Sequence, residues 1–235
     1  MDLVREVERK FNIHFSDPDL LITALKHRSF LNVNNEPRVN SNERLEFLGD
    51  AVLDLIVTNF LYQKFPKKTE GQLSKVRSIL VSTPVLAKIA GEISLGKMIL
   101  INWGEEKTGG RHRQSILADG FEALVGAIYL DQGLEAANNF VREHLLHNYK
   151  QIVREGLYKN YKSILLEYTQ SGGMGVPDYR VVKEIGPDHE KEFIIEVLIC
   201  GKVMGEGRGH SKKSAEQRAA SEAVKKLGLQ TKSIS

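Results

Sequence analysis

Asn42-Glu43-Arg44-Leu45-Glu46-Phe47-Leu48-Gly49-Asp50-Ala51-Val52-Leu53-Asp54 is the stretch that decides the fold. Its apolar residues recur with the period of a helix. Read as one, it places Glu43, Glu46 and Asp50 on a single face, at i, i+3 and i+7. Like charges three or four residues apart destabilise an isolated helix by about 0.2–0.5 kcal/mol per pair. A helix that stacks acids this way has something cationic to hold, and a divalent metal is the leading candidate.

The same apolar period runs from Glu43 to Phe65 and stops at Pro66. Upstream, Ser16-Asp17-Pro18 offers an N-cap with proline near the first turn, ahead of Leu20, Leu21, Ala24 and Leu25. Downstream, Pro84 opens a further helix, followed by Gly96. Another helix begins after Ser115 and runs through Phe121, Leu124, Val125 and Ile128 to an expected C-cap at Gly133. The intervening Glu105–Arg113 is polar, glycine-bearing and aperiodic, and reads as a loop. Residues 1–155 are therefore expected to form an all-helical domain.

After about residue 157 the pattern changes. Tyr161–Gln170 is helical and ends at Ser171-Gly172-Gly173. Tyr179–Ile185, Glu192–Cys200 and Lys202–Glu206 are strand-like, separated by Gly186-Pro187-Asp188-His189 and by Gly201. Ser211–Leu227 is a second helix. The expectation is a small α+β domain over 158–229, in the order α-β-β-β-α.

Composition narrows the function. The 235 residues are 41% hydrophobic and 27% charged, as in a globular chain long enough for one medium domain and one small one. Cys200 is the single cysteine, which excludes an internal disulfide and a metal site built of cysteines, and fits a reducing compartment. Acids interrupt the N-terminal segment where a secretory signal would be apolar, and no uncharged run reaches membrane-spanning length. A cytoplasmic location without membrane contact is expected. The formal net charge of +3 is uneven: residues 1–157 hold 20 Lys+Arg and 20 Asp+Glu, whereas 158–235 hold 13 and 10. Lys202–Lys226 carries seven basic against three acidic residues. That patch suits phosphates, and charge alone fits a solvated helix face equally well.

A second acidic pair, Asp119 and Glu122, lies at i, i+3 within another strongly apolar helix. If the two helices cross, Glu46, Asp50, Asp119 and Glu122 surround one hard cation, the kind of oxygen-only site that Mg²⁺ prefers. Gly49 and Gly120 each adjoin an acid and would let the helices approach closely. Each acid taken singly reads better as a solvated or salt-bridged surface residue than as a ligand, and Arg44 could neutralise one, but as a set unpaired carboxylates in the most apolar helices are expensive. Asp54 has no such partner and is read as structural. Such a site suits metal-assisted hydrolysis of phosphodiesters. The seven histidines form no HExxH pattern, and Gly205-Glu206-Gly207-Arg208-Gly209 lacks the spacing of a P-loop.

Asn42–Leu53 resembles the signature of the ribonuclease III family, Ile116–Ala123 resembles its second acidic motif, and Gly205–Gly207 with Ser211–Ala220 resembles a double-stranded RNA-binding domain. The likeness covers nearly the whole chain. It implies an all-α endonuclease domain followed by that small α+β domain, and a homodimer whose joined clefts cut both strands of duplex RNA. The expected products carry 5′-phosphates and short 3′ overhangs, and the expected substrates are rRNA and mRNA precursors. It further implies Mg²⁺, with Mn²⁺ as a substitute, held by Glu46, Asp50, Asp119 and Glu122, with Glu43 at the same cleft near the RNA backbone. Phe47 matches an aromatic inserted into the partner subunit, although periodicity alone allows an ordinary core residue. In the small domain Glu167, Gln170 and His189 match positions facing the minor groove, and Lys212 and Lys213 suit phosphates across the major groove. Leu166 departs from the polar residue many members place there. Lys75 and Arg77 could touch RNA from the nuclease domain, but a solvated face is the better reading. The rival is a duplex-RNA-binding or scaffold protein that does not cut, and it has no use for four clustered acids facing a polyanion.

Overall fold

The computed structural model describes residues 2–158, 161–186 and 191–229. The chain forms two compact units, Met1–Ile152 and Val153–Ser235. The first is helical, with α1 (Asp2–Phe11), α2 (Pro18–Leu25), α3 (Arg28–Asn34), α4 (Glu43–Lys64), α5 (Glu70–Leu80), α6 (Thr83–Glu92), α7 (Trp103–Lys107) and α8 (Gln114–His144). The unit boundary falls inside α9 (Tyr149–Tyr158).

Helix α4 forms where the apolar period is strongest. It buries Leu45, Gly49, Val52, Leu53, Ile56, Val57 and Leu61, and ends two residues short of Pro66. In α8 every residue from Ile116 to Ile128 is buried except Asp119 and Glu122, which are half-buried. That marks a helix at the centre of a bundle. Full burial of one Leu or Phe contributes about 1.5–3 kcal/mol, so residues such as Leu53, Phe121 and Leu124, all fully buried, hold this pair together. Gly49 and Gly126 meet where the helices cross. A Cβ on Gly49 would collide with the Glu122 carbonyl, and one on Gly126 with the Leu45 carbonyl.

Three details of this unit depart from the sequence expectation. Gly120 does not open the α4–α8 contact, since a Cβ there would lie 2.8 Å from Ile99 Cδ1. One residue turns a helix by about 100°, so Gly120 packs α8 against the 95–101 segment while its neighbour Asp119 faces the site. Gly133 does not end its helix either. It breaks the chain direction with φ 82° and ψ −178°, and helical residues resume to His144. The Glu105–Arg113 stretch holds α7 and a turn of 3-10 helix. Asn102 caps it by accepting from Glu105 N at 2.8 Å, and the ion pairs Arg111–Glu106 and Arg113–Glu105 brace it.

The second unit has α10 (Tyr161–Ser171), β1 (Asp178–Ile185), β2 (Glu192–Ile199), β3 (Lys202–Gly209) and α11 (Lys212–Lys226). The strands form one antiparallel sheet in the order β1-β2-β3, with Val197 paired to Tyr179 and to Gly205. Leu165 of α10, Val197 and Ile199 of β2, and Ala219, Ala220, Ala223 and Val224 of α11 form its core. Strand β3 runs three residues beyond the expected Glu206. Its glycines weaken the strand signal, yet they are required: a Cβ on Gly205 or Gly207 would strike the backbone of α11.

Candidate metal centre and basic surface

Glu46 of α4 and Asp119 and Glu122 of α8 each present a carboxylate oxygen, all within 4.8 Å of one another. The close glycine contact one turn below Glu46 sets that spacing. Glu122 is pushed up from 4.5 to about 8 by burial first, then by the charges of Asp50, Glu46 and Asp119. Glu46 is raised by burial and by Asp119, and Asp119 is raised by burial. Among the described residues none of the three forms an ion pair. Asp50 stands outside the tight group on the exposed side, one turn along from Glu46, and supplies the largest charge acting on Glu122. Four carboxyl groups without a bonded cation among the described residues, three of them raised chiefly by burial and one of those to about 8, are a donor set that fits a hard divalent ion.

Glu43 is differently placed. It takes a two-pronged hydrogen bond from Arg38, 2.7 Å to each oxygen, and lies 3.8 Å from Arg28 Nη1. The Arg38 guanidinium holds its carboxyl below the usual carboxylate range. Neither arginine was singled out from sequence. Both precede the signature helix, outside any periodic segment, and only the need for countercharge beside stacked acids could have pointed to them. Asp54, read as structural, pairs with Arg77 of α5 at 3.8 Å, and Arg77 also donates to Thr58 at 3.0 Å.

Phe47 is 82% exposed. It is no core residue, and it borders a groove of about 710 Å³ lined by Leu20, Val39, Leu45, Leu48 and Leu130. Leu55 and Tyr62 continue an exposed apolar stripe along α4. In the second unit Glu167 and Gln170 are exposed on α10, and Lys212 and Lys213 are exposed in the first turn of α11. Ser211 caps that helix by accepting from Ser214 N at 3.2 Å. Lys212 Nζ lies 3.5 Å from Glu184 and 5.6 Å from the centre of the Phe193 ring. His189 lies outside the described residues. No helix among the described residues is long and apolar enough to cross a membrane.

A family model described as ribonuclease-III-like matches residues 17–149, and a double-stranded RNA binding motif matches 161–227. Ribonuclease 3 of Bacillus cereus strain G9842 is 46% identical over 220 residues, covering 94% of this chain and 89% of that protein. Ribonuclease 3 of Bacillus licheniformis is 42% identical over 223 residues, covering 95% and 89%. The solved nuclease domain of ribonuclease III from Campylobacter jejuni, described for structural flexibility in a region involved in dimer formation, superposes with a TM-score of 0.57. It has 44% identity, covering 62% of this chain and 97% of that one.

Proposed function

The chain belongs to the ribonuclease III family, and from that premise we propose that Glu46, Asp50, Asp119 and Glu122 together hold Mg²⁺, or Mn²⁺ in its place, where duplex RNA is cut. The protein is an endoribonuclease acting on double-stranded RNA. A divalent ion held by these acids would lower the pKa of water and offset charge developing on the phosphate oxygens. Glu122 is the group whose proton must leave before all four can act as ligands, since at about 8 it is largely protonated at neutral pH. The Gly49–Gly126 contact holds the donors in place beforehand, so little rearrangement remains when substrate arrives.

Residues 1–155 serve as the nuclease domain and 158–229 as the RNA-binding domain, with Glu167, Gln170, His189, Lys212 and Lys213 touching the duplex. The nuclease domain pairs with a second copy by placing Phe47 in the partner's apolar groove, a self-complementary arrangement that suits a two-fold dimer. Two clefts then cut opposite strands of rRNA and mRNA precursors, leaving 5′-phosphates and short 3′ overhangs. Phe47→Asp is expected to yield monomer by light scattering; an unchanged dimer would place the interface elsewhere.

The observation that carries this reading is the convergence of three carboxylates from two remote segments within 4.8 Å. The test is a labelled RNA duplex with Mg²⁺. Wild type cuts it, and Glu122→Gln binds without cutting. Bound but uncut RNA with the wild type would favour a scaffold.

A further inference from the structure

Arg28 stands beside Glu43, an acid three residues before Glu46 on α4, with no hydrogen bond holding the guanidinium among the described residues. Its ion pair with Glu43 is 3.8 Å, too long for a hydrogen bond, and among the described residues no hydrogen bond occupies its donors. Yet its charge adds to that of Arg38 in favouring the ionised form of Glu43. Such a side chain is 63% exposed but stands on a fixed base. His27 N donates to Leu100 O at 3.0 Å, Leu100 N to Leu25 O at 2.7 Å, and Asn42 N to Lys26 O at 2.9 Å. These bonds staple the start of α3, the 95–101 segment and the start of α4 at one junction, immediately before Arg28.

The neighbouring acid is already satisfied. Arg38 occupies both oxygens of Glu43, so Glu43 does not draw Arg28 into a hydrogen-bonded pair. The charges need Arg28 elsewhere. Four carboxylates around one divalent ion leave the cleft negative, and a phosphodiester entering it brings another negative charge. A planar guanidinium offers paired donors that match two phosphate oxygens. We propose that Arg28 binds the non-bridging oxygens of the RNA phosphodiester beside the carboxylate cluster, and that the Arg38–Glu43 pair is the brace that leaves it free to do so.

The inference rests on the nuclease reading, and the test separates the two. Full-length Arg28→Gln, Arg28→Lys and wild type are compared on duplex RNA with Mg²⁺. Binding is measured against salt in proteins also carrying Glu122→Gln, which prevents turnover. Arg28→Gln is expected to lose about 100-fold in cleavage, and Arg28→Lys to recover about tenfold of that loss, since it restores charge without the fork. The slope of log affinity against log salt should shrink by about 1 for each Arg28 engaged. Arg38→Gln should also slow cutting by releasing Glu43 onto Arg28, and adding Glu43→Gln should relieve part of that defect. Wild-type cutting by Arg28→Gln would overturn the proposal, as would slowed cutting with an unchanged salt slope and no gain from lysine. Should the wild type fail to cut, the nuclease reading falls, while the salt slope still decides whether Arg28 meets a phosphate.

Discussion

The two regions proposed to meet RNA differ in charge and in construction. The acidic cluster is half-buried between α4 and α8, and its members raise one another's proton affinity, with Glu122 reaching about 8. The basic end of α11 is exposed, and Lys212 makes loose contacts, with Glu184 at 3.5 Å and over the Phe193 ring. Chemistry needs groups forced together at a cost the fold must bear. Grip on a phosphate backbone needs charges held at the right spacing in water. Substitutions should therefore act all-or-none in the first region and by degrees in the second.

The largest contrast is expected at Glu122. Glu122→Gln keeps the shape and removes a proposed metal ligand, so cleavage should fall by about 100-fold or more, while affinity for duplex RNA stays within about threefold because a single near-neutral side chain adds little to backbone contacts. Filter binding and gel cleavage on one preparation measure both. A loss of binding to match the loss of cutting would erase the division of labour.

Next come the glycines, which do the same job in both regions. Gly49→Ala would push a methyl into the Glu122 carbonyl, and Gly207→Ala into the backbone of α11. Forced overpacking costs about 1–3 kcal/mol. Gly49→Ala should lower the melting point of the nuclease unit and also slow cutting, because it moves Glu122 itself. Gly207→Ala should weaken duplex binding and leave the cleft's Mg²⁺ response intact. If either substitution melts both units together, the two are less independent than their separate cores imply.

How much of this was legible in the sequence follows the same division. The acids of the cluster announce themselves because charged residues interrupt apolar helices at helical spacing, and the α4–α8 pairing follows from their burial. The order α-β-β-β-α is visible because strand and helix periods differ. What stayed hidden depends on three-dimensional neighbours. Gly126, not Gly120, faces Gly49, a choice set by which side of α8 meets α4. Arg28 and Arg38 reach the site from segments with no periodicity. The end of β3 is masked by the glycines that α11 requires. Lys212, Lys213, Glu167 and Gln170 are exposed, with no packing pattern to mark them; their proposed role on RNA comes from resemblance to related domains, joined for the two lysines by the charge of the 202–226 patch.

A smaller effect should appear in stability against pH. In the metal-free folded protein Glu122 holds a proton up to about 8, whereas its ordinary value is 4.5. Between those values the folded state binds more protons than the unfolded one, so this group's contribution to stability is lost as pH rises toward 8. Glu46 and Asp119, also raised, act in the same direction. His27 and His144 are lowered by burial and act oppositely, favouring the fold as pH rises through 6.5. Above pH 7 the histidine contribution is complete and the carboxyl effect stands alone. Metal-free melting temperature should then fall from pH 7 to 8.5, Mg²⁺ should raise it more at the higher pH, and Glu122→Gln should flatten the dependence. Scanning calorimetry with and without chelator measures this, and a metal-free protein whose melting point rises over that window would contradict the account of the cluster.

The smallest expected effect is at Lys212. One phosphate contact removed by Lys212→Ala should reduce the salt slope of duplex binding by about 1. Its affinity cost should be modest, because in the free protein Lys212 already stands 3.5 Å from Glu184, and binding must exchange that carboxylate for a phosphate. Exposed pairs of this kind are worth about 0–1 kcal/mol, so Glu184→Gln should tighten binding by less than about tenfold while leaving the slope unchanged, since no phosphate contact is gained. Glu184 also pairs with Lys191 at 3.3 Å, and the two variants thus separate a charge that touches RNA from one that competes for its lysine neighbours. If Lys212→Ala leaves the slope untouched, Lys212 belongs to the solvated face of α11 and the grip must come from Lys213 and its neighbours.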